Sequence, residues 1–200
     1  NYTYDTNGLK VDTPRIVNYI DKEIMKADIA EAKLFNPDFI IANMHWGVEY
    51  EQMPSRRQRE LAAWLMQQGV DLIIGCHPHV VQPMELRRGK DGTSDHLVVY
   101  SLGNFISNMS REHTDGGAMV KVVLGRKGLH RYIASAQYSL IYSSRYKNKQ
   151  GKEDIRVVPA FGSEKNQNSS FSVDSVLIKY ANKTRLFLKD NNKGVEEYIF

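Results

Sequence analysis

Phe39-Ile40-Ile41-Ala42-Asn43-Met44-His45-Trp46-Gly47-Val48-Glu49 and, further on, Leu72-Ile73-Ile74-Gly75-Cys76-His77-Pro78-His79 decide how this chain folds. Each is a short apolar run that ends on histidine, and each is preceded by a helical pattern. Strands alternating with helices build a mostly parallel sheet, and ligand sites in such sheets gather beyond the carboxyl ends of the strands. The two runs therefore deliver three imidazoles, those of His45, His77 and His79, to one rim. Neutral imidazole is the commonest metal-ligating side chain, so the rim is a candidate metal centre.

Working outward, residues 16–20 read as a short strand and Lys22 to Phe35 as a helix ended by Pro37. Ile24, Ala27, Ile29, Ala30 and Leu34 give that helix its 3.6-residue apolar period. Phe39 to Met44 is the first buried strand. Ser55 caps a second helix through Gln68, with Leu61, Ala62, Leu65 and Met66 apolar and Gly69 at the C′ position. Val70 to Gly75 is the second buried strand. A β-α-β-α-β unit of this kind predicts right-handed crossovers and a parallel sheet.

After Pro83 the texture changes. Met84 to Arg88, Leu97 to Leu102, Ala118 to Leu124, Tyr132 to Tyr142 and Ile155 to Val158 read as strands with no helices between them, hence antiparallel. Turns are expected at Lys90-Asp91-Gly92 and Arg126-Lys127-Gly128, and exposed loops at 144–153 and 162–170. A final helix starts at Ser172, with Phe171 stapled on Val176. Its apolar face runs through Val173, Val176, Leu177, Tyr180, Thr184, Phe187 and Leu188, and a last strand spans 196–200. The whole is an α/β fold in one domain, residues 1–200.

Composition excludes several classes. The 42% apolar and 25% charged residues are those of a globular protein. No run approaches the roughly 18 apolar residues of a membrane span, and the first residues carry no signal peptide. The chain lacks an initiator Met, which suggests a piece of something longer. The single Cys76 rules out an internal disulfide. A net charge of +4 is mild, and no nucleic-acid-binding motif accompanies the basic clusters, so nucleic acid is not an expected partner. Those clusters, at 87–90, 126–131 and 145–152, read either as a solvated rim or as an anion-attracting surface.

At the candidate site, residues i and i+2 of an extended chain face the same side, so His77 and His79 are expected to act together. Pro78 is expected to keep the stretch extended. Glu49 has two readings, a general acid or base supporting the imidazoles or a solvated loop carboxylate. Tyr100-Ser101-Leu102-Gly103-Asn104-Phe105 closes a strand and emerges near the same rim. Ser101 and Asn104 offer hydrogen bonds that would orient substrate, or they form an ordinary strand-to-turn exit. His96, His113 and His130 stand outside this arrangement.

His-Trp-Gly-x-Glu, Gly-x-His-Pro-His-Val-x-Gln and Ser-Leu-Gly-Asn-Phe, in this order and spacing, resemble the bacterial capsule synthesis protein family associated with poly-γ-glutamate. That family is similar to the calcineurin-like metallophosphoesterases. The likeness covers about residues 1–125, and the opening Asn1 to Gly8 is similar to a mid-protein segment of the family. The resemblance implies part of a four-layer metallophosphoesterase-like sandwich, with His45, His77 and His79 as ligands of divalent metal (Mn, Fe or Zn, one ion or two). It also implies further Asp, Asn and His ligands from motifs absent here, so the metal site is incomplete in these residues. Cys76 stands where the family usually has histidine. The implied function is a metal-dependent hydrolase-like domain that makes, trims or anchors an anionic envelope polymer, with Glu49 and Asn104 as catalytic candidates. A non-catalytic, polymer-handling scaffold is the alternative. Implied partners are the polymer or a small phospho or acyl substrate, and other capsule proteins. The implied location is the cell envelope outside the cytoplasm, with membrane contact only through an anchor outside these residues.

Overall fold

The computed structural model describes residues 1–4, 17–89, 95–160 and 175–198. The first unit contains β1 (Tyr2–Thr3), α1 (Lys22–Leu34), β2 (Ile41–His45), α2 (Arg56–Gln67) and β3 (Leu72–Cys76). It continues with β4 (Met84–Arg87) and β5 (His96–Val99), and the five strands make one sheet in the order β1-β2-β3-β5-β4. β1, β2, β3 and β5 run parallel, and only the edge strand β4 is antiparallel. The expected alternating unit is therefore present, and its register sets His45 beside Cys76.

The second sheet comprises β6 (Gly116–Lys127), β7 (His130–Lys147) and β8 (Glu153–Pro159) in antiparallel order, with β9 (Glu196–Glu197) parallel to β7. β6 turns into β7 through Gly128, whose φ of +64° a glycine adopts without strain. α3 (Ser175–Asn191) lies between β8 and β9 in the chain.

Two cores result. Strand alternation sends Ala42, Met44, Ile73, Val98 and Tyr100 to one face of the first sheet, where Met25 and Ile29 of α1 and Leu61, Ala62 and Leu65 of α2 cover them. Leu72, Leu97 and Val99 face the other way, onto Ala136, Tyr138, Leu140 and Tyr142 of β7 and onto Leu177, Tyr180, Ala181 and Leu188 of α3. The Tyr142 and Tyr180 rings meet at 5.9 Å, so α3 shares the inner face of the second sheet. On the opposite face of β6, Met119 and Val123 remain exposed. The described residues thus supply helix, sheet and sheet, and none of them forms a fourth layer over that outer face.

Several expectations are corrected. Of the described residues 17–20, only Tyr19 bridges, singly, to Thr3, because two residues of β1 leave little edge to pair with. In α1 the buried line is Met25 and Ile29, while Ile24 and Leu34 face solvent. Residues 144–153 are only half loop: β7 runs on to Lys147 and β8 pairs with it from Glu153, leaving a turn at 148–152. Val176 is half exposed rather than part of the helix's apolar face. The turn at 90–92, the loop at 162–170 and the start of the last helix at 171–173 lie outside the described residues.

Candidate functional site

The ends of β2 and β3 are shaped by close backbone approach. A Cβ on Gly75 would stand 2.0 Å from the Tyr100 carbonyl oxygen and 2.5 Å from Nε1 of Trp46. That indole, fully buried, donates to the Tyr100 carbonyl at 2.9 Å. Glycine at 75 thus lets β3 and β5 close up beneath the Trp46 ring. The strand ends carrying His45 and His77 are fixed as a consequence.

A chain of buried amides braces the two histidine loops. Ser55 and Gln58 form a capping box at the start of α2. Gln58 Nε2 donates to Gln82 Oε1 at 2.8 Å, and Gln82 Nε2 donates to the Glu51 carbonyl at 2.7 Å. Both glutamines are fully buried. The segment after His45 is thereby tied to the segment after His79.

The three histidines form a chain of ring contacts. His45 and His77 have centroids 4.5 Å apart, and His77 and His79 6.2 Å apart. The His-Pro-His stretch is not extended as expected: φ is +103° at His77 and +61° at His79. The turn, not strand alternation, brings these two rings together. Positive φ at non-glycine residues is costly and tends to gather at functional sites. Nδ1 of His77 is buried with no hydrogen-bond partner among the described residues.

Asn104 fixes the tautomer of His79. Its Nδ2 donates to the Thr114 carbonyl at 2.9 Å, so its Oδ1 faces Nδ1 of His79, also at 2.9 Å. An amide oxygen only accepts, so Nδ1 of His79 carries the proton, and in the neutral ring Nε2 is the nitrogen with the lone pair. Glu49 Oε1 lies 4.0 Å from that Nε2, too far for a hydrogen bond, and is partly open to solvent. Cys76 Sγ stands 3.7 Å from Nδ1 of His45 and 3.6 Å from the Met44 carbonyl. Desolvation of the sulfur pushes its thiol pKa up, although the residue as a whole is exposed. Ser101 is fully buried, its hydroxyl accepting from the Gly103 N–H at 3.2 Å. It shapes the turn and reaches no solvent. Of the other histidines, His96 meets the Val70 carbonyl at the opposite strand ends, His130 stacks on Tyr132 and His113 faces Glu112.

The histidine cluster brings three imidazoles together at the ends of β2 and β3. Among the described residues, no three His, Cys, Asp or Glu side chains are grouped so as to hold a metal ion by themselves. The arrangement can orient imidazoles and hold a proton at Nδ1 of His79. Gln58, Gln82, Tyr50 and Thr114 also position the site. Of these, only Gln82 falls in a sequence motif, as the Gln of Gly-x-His-Pro-His-Val-x-Gln, where it passes for a surface residue.

The sequence pattern of the bacterial capsule synthesis protein PGA_cap family matches residues 1–109. The chain belongs to this family. Within it, the PGA biosynthesis protein CapA of Bacillus subtilis (strain 168) is 37% identical over 123 residues, 62% of this chain and 30% of that protein. The capsule biosynthesis protein CapA of Bacillus anthracis is 38% identical over 107 residues, 54% of this chain and 24% of that one. The match thus spans less than a third of the length of these relatives. The PGA_cap match takes in all three motifs read from the sequence, and Arg111 and Thr114 lie beyond its end.

Proposed function

We propose that this chain is the histidine-bearing part of a metal-dependent, hydrolase-like domain that works on an anionic capsule polymer of the poly-γ-glutamate type, in its synthesis, trimming or anchoring. The observation that carries the reading is the ring chain of His45, His77 and His79 at the carboxyl ends of two adjacent parallel strands. Family membership and the capsule names of the two relatives supply the polymer.

In this reading the three histidines contribute to a divalent metal site and do not complete it. The remaining donors come from outside these 200 residues. Asn104 holds the His79 ring and its proton, and Glu49, beside the free lone pair of that ring, is placed to exchange a proton with bound water or substrate. The domain acts in the cell envelope outside the cytoplasm, alongside other capsule proteins. No described helix is long and apolar enough to cross a membrane.

A second reading, a polymer-handling scaffold without catalysis, is favoured by one observation: the described residues do not complete a metal-holding group. Incubation of the full natural protein with poly-γ-glutamate separates the two. The hydrolase reading predicts shortened polymer on size-exclusion chromatography and none with His77→Ala. Polymer bound at full length by both forms would establish the scaffold.

A further inference from the structure

Between β5 and β6, the segment 104–115 crosses the histidine rim, and its one arginine is held with unusual care. Arg111 is exposed, yet Thr114 fixes its carbonyl twice, through N–H at 3.1 Å and through Oγ1 at 2.6 Å. Thr114 is itself fully buried, and its own carbonyl receives the Asn104 amide. Asn104 therefore links His79 on one side to the turn bearing Arg111 on the other. Further along, Arg145 of β7 reaches across to the Met109 carbonyl at 3.3 Å and pins the same segment to the second sheet.

The guanidinium is aimed by a ring. Arg111 Cζ lies 4.0 Å from the centroid of Tyr50, and the Tyr50 ring is stacked at 6.0 Å and 26° on His79. Tyr50 has φ of +69°, and its N–H donates to the Pro78 carbonyl at 2.8 Å, so the ring is anchored to the His-Pro-His turn. A guanidinium lying on an aromatic face is held by cation–π attraction while its in-plane N–H donors stay available. Acidic neighbours do not occupy them. Glu112 turns to Lys183 at 2.5 Å and to His113 at 3.8 Å, and among the described residues Arg111 makes no ion pair. Glu49 stands on the Nε2 edge of the His79 ring instead.

We infer that Arg111, presented by Tyr50 beside His79, is the oxyanion-recognising residue of this site, taking one carboxylate or phosphoryl group of the substrate. The inference rests on the site assigned under Proposed function and adds the substrate's anionic handle to it. An arginine fork matches either planar oxyanion and binds it bidentately, which a lysine ammonium cannot do. A poly-γ-glutamate chain offers one free carboxylate per residue, so a single fixed arginine would also set the register of the polymer on the histidines.

Calorimetric titration of the full natural protein tests this in two arms, one with a poly-γ-glutamate oligomer and one with inorganic phosphate. Arg111→Ala should lose about tenfold or more in affinity, about 1.4 kcal/mol. Arg111→Lys should recover only part of it. Arg126→Ala, near the end of β6 in the second sheet and paired with Asp38, should bind as the parent does. Loss confined to one arm identifies which oxyanion the residue takes. Parent-like binding by Arg111→Ala, equal loss in Arg126→Ala, or no binding of either probe by the parent would each overturn the assignment. Metal content measured on the same samples keeps the two ideas apart. An Arg111 effect in protein that holds no metal leaves this inference standing and removes the metal reading.

Discussion

Gln82→Ala is the sharpest probe of how the site is held. The side chain is fully buried, accepts from Gln58 Nε2 at 2.8 Å and donates to the Glu51 carbonyl at 2.7 Å. Truncation leaves a buried amide donor and a backbone carbonyl without partners. Each such orphan costs about 1–3 kcal/mol, so the loss is roughly 2–6 kcal/mol before any cavity is counted. At about 2–4 °C per kcal/mol for a chain this size, the unfolding midpoint should fall by roughly 4–24 °C. Urea unfolding gives the free energy, and the double variant with Gln58→Ala gives the coupling. The second truncation should cost clearly less than the first, because it removes a group already unpaired. A Gln82→Ala loss under about 1 kcal/mol, or strictly additive single costs, would refute the idea that this amide chain braces the histidine loops.

Three other outcomes follow from the packing and charge. Leu188→Ala, at a fully buried position of α3, should destabilise by about 2–5 kcal/mol, whereas Val176→Ala, half exposed on the same helix, should stay within about 0.5 kcal/mol in the same melt. Asp95 is pushed up by burial, but the N–H groups of Gly89 and Ile133 and the Arg88 guanidinium outweigh this and hold it below the ordinary carboxylate range. A lowered folded pKa means stability present above the unfolded value and lost as pH falls toward the folded one, so parent stability should decline below about pH 5. Asp95→Asn should be less stable at neutral pH and show a flatter acid limb in denaturant titrations. An equally steep limb would exclude Asp95 as its source.

The parallel unit was legible because strand-ending histidines follow apolar runs with helix signals between them. Ser55 and Gly69 announced the ends of α2 in plain local chemistry, cap and C′ glycine, and both stand there. Met25 was missed because Ile24 and Leu34 fit a 3.6-residue period about as well, and only the sheet's position decides which stripe is buried. The long hairpin of β6 and β7 exceeded its apolar segments because backbone pairing carries strands onward through polar residues such as Ser143, Arg145 and Lys147. At the site, the motifs located the histidines, but the turn that joins His77 and His79 depends on positive φ values no sequence period encodes. Tyr50, Thr114 and Arg111 escaped notice because each acts through partners far away in the chain, on the Pro78 carbonyl, the Asn104 amide and the Tyr50 ring.

In the proposed function, His45, His77 and His79 belong to one metal-binding group completed by donors outside this chain. Metal content by mass spectrometry, after dialysis against Mn, Fe or Zn, tests it on the full natural protein, its three single His→Ala variants and the 200-residue span alone. Metal is expected in the full protein, with a severe loss in each of the three variants and little or none in the isolated span. Metal retained undiminished when any two of these histidines are replaced one at a time, or a full protein that binds none, would contradict it.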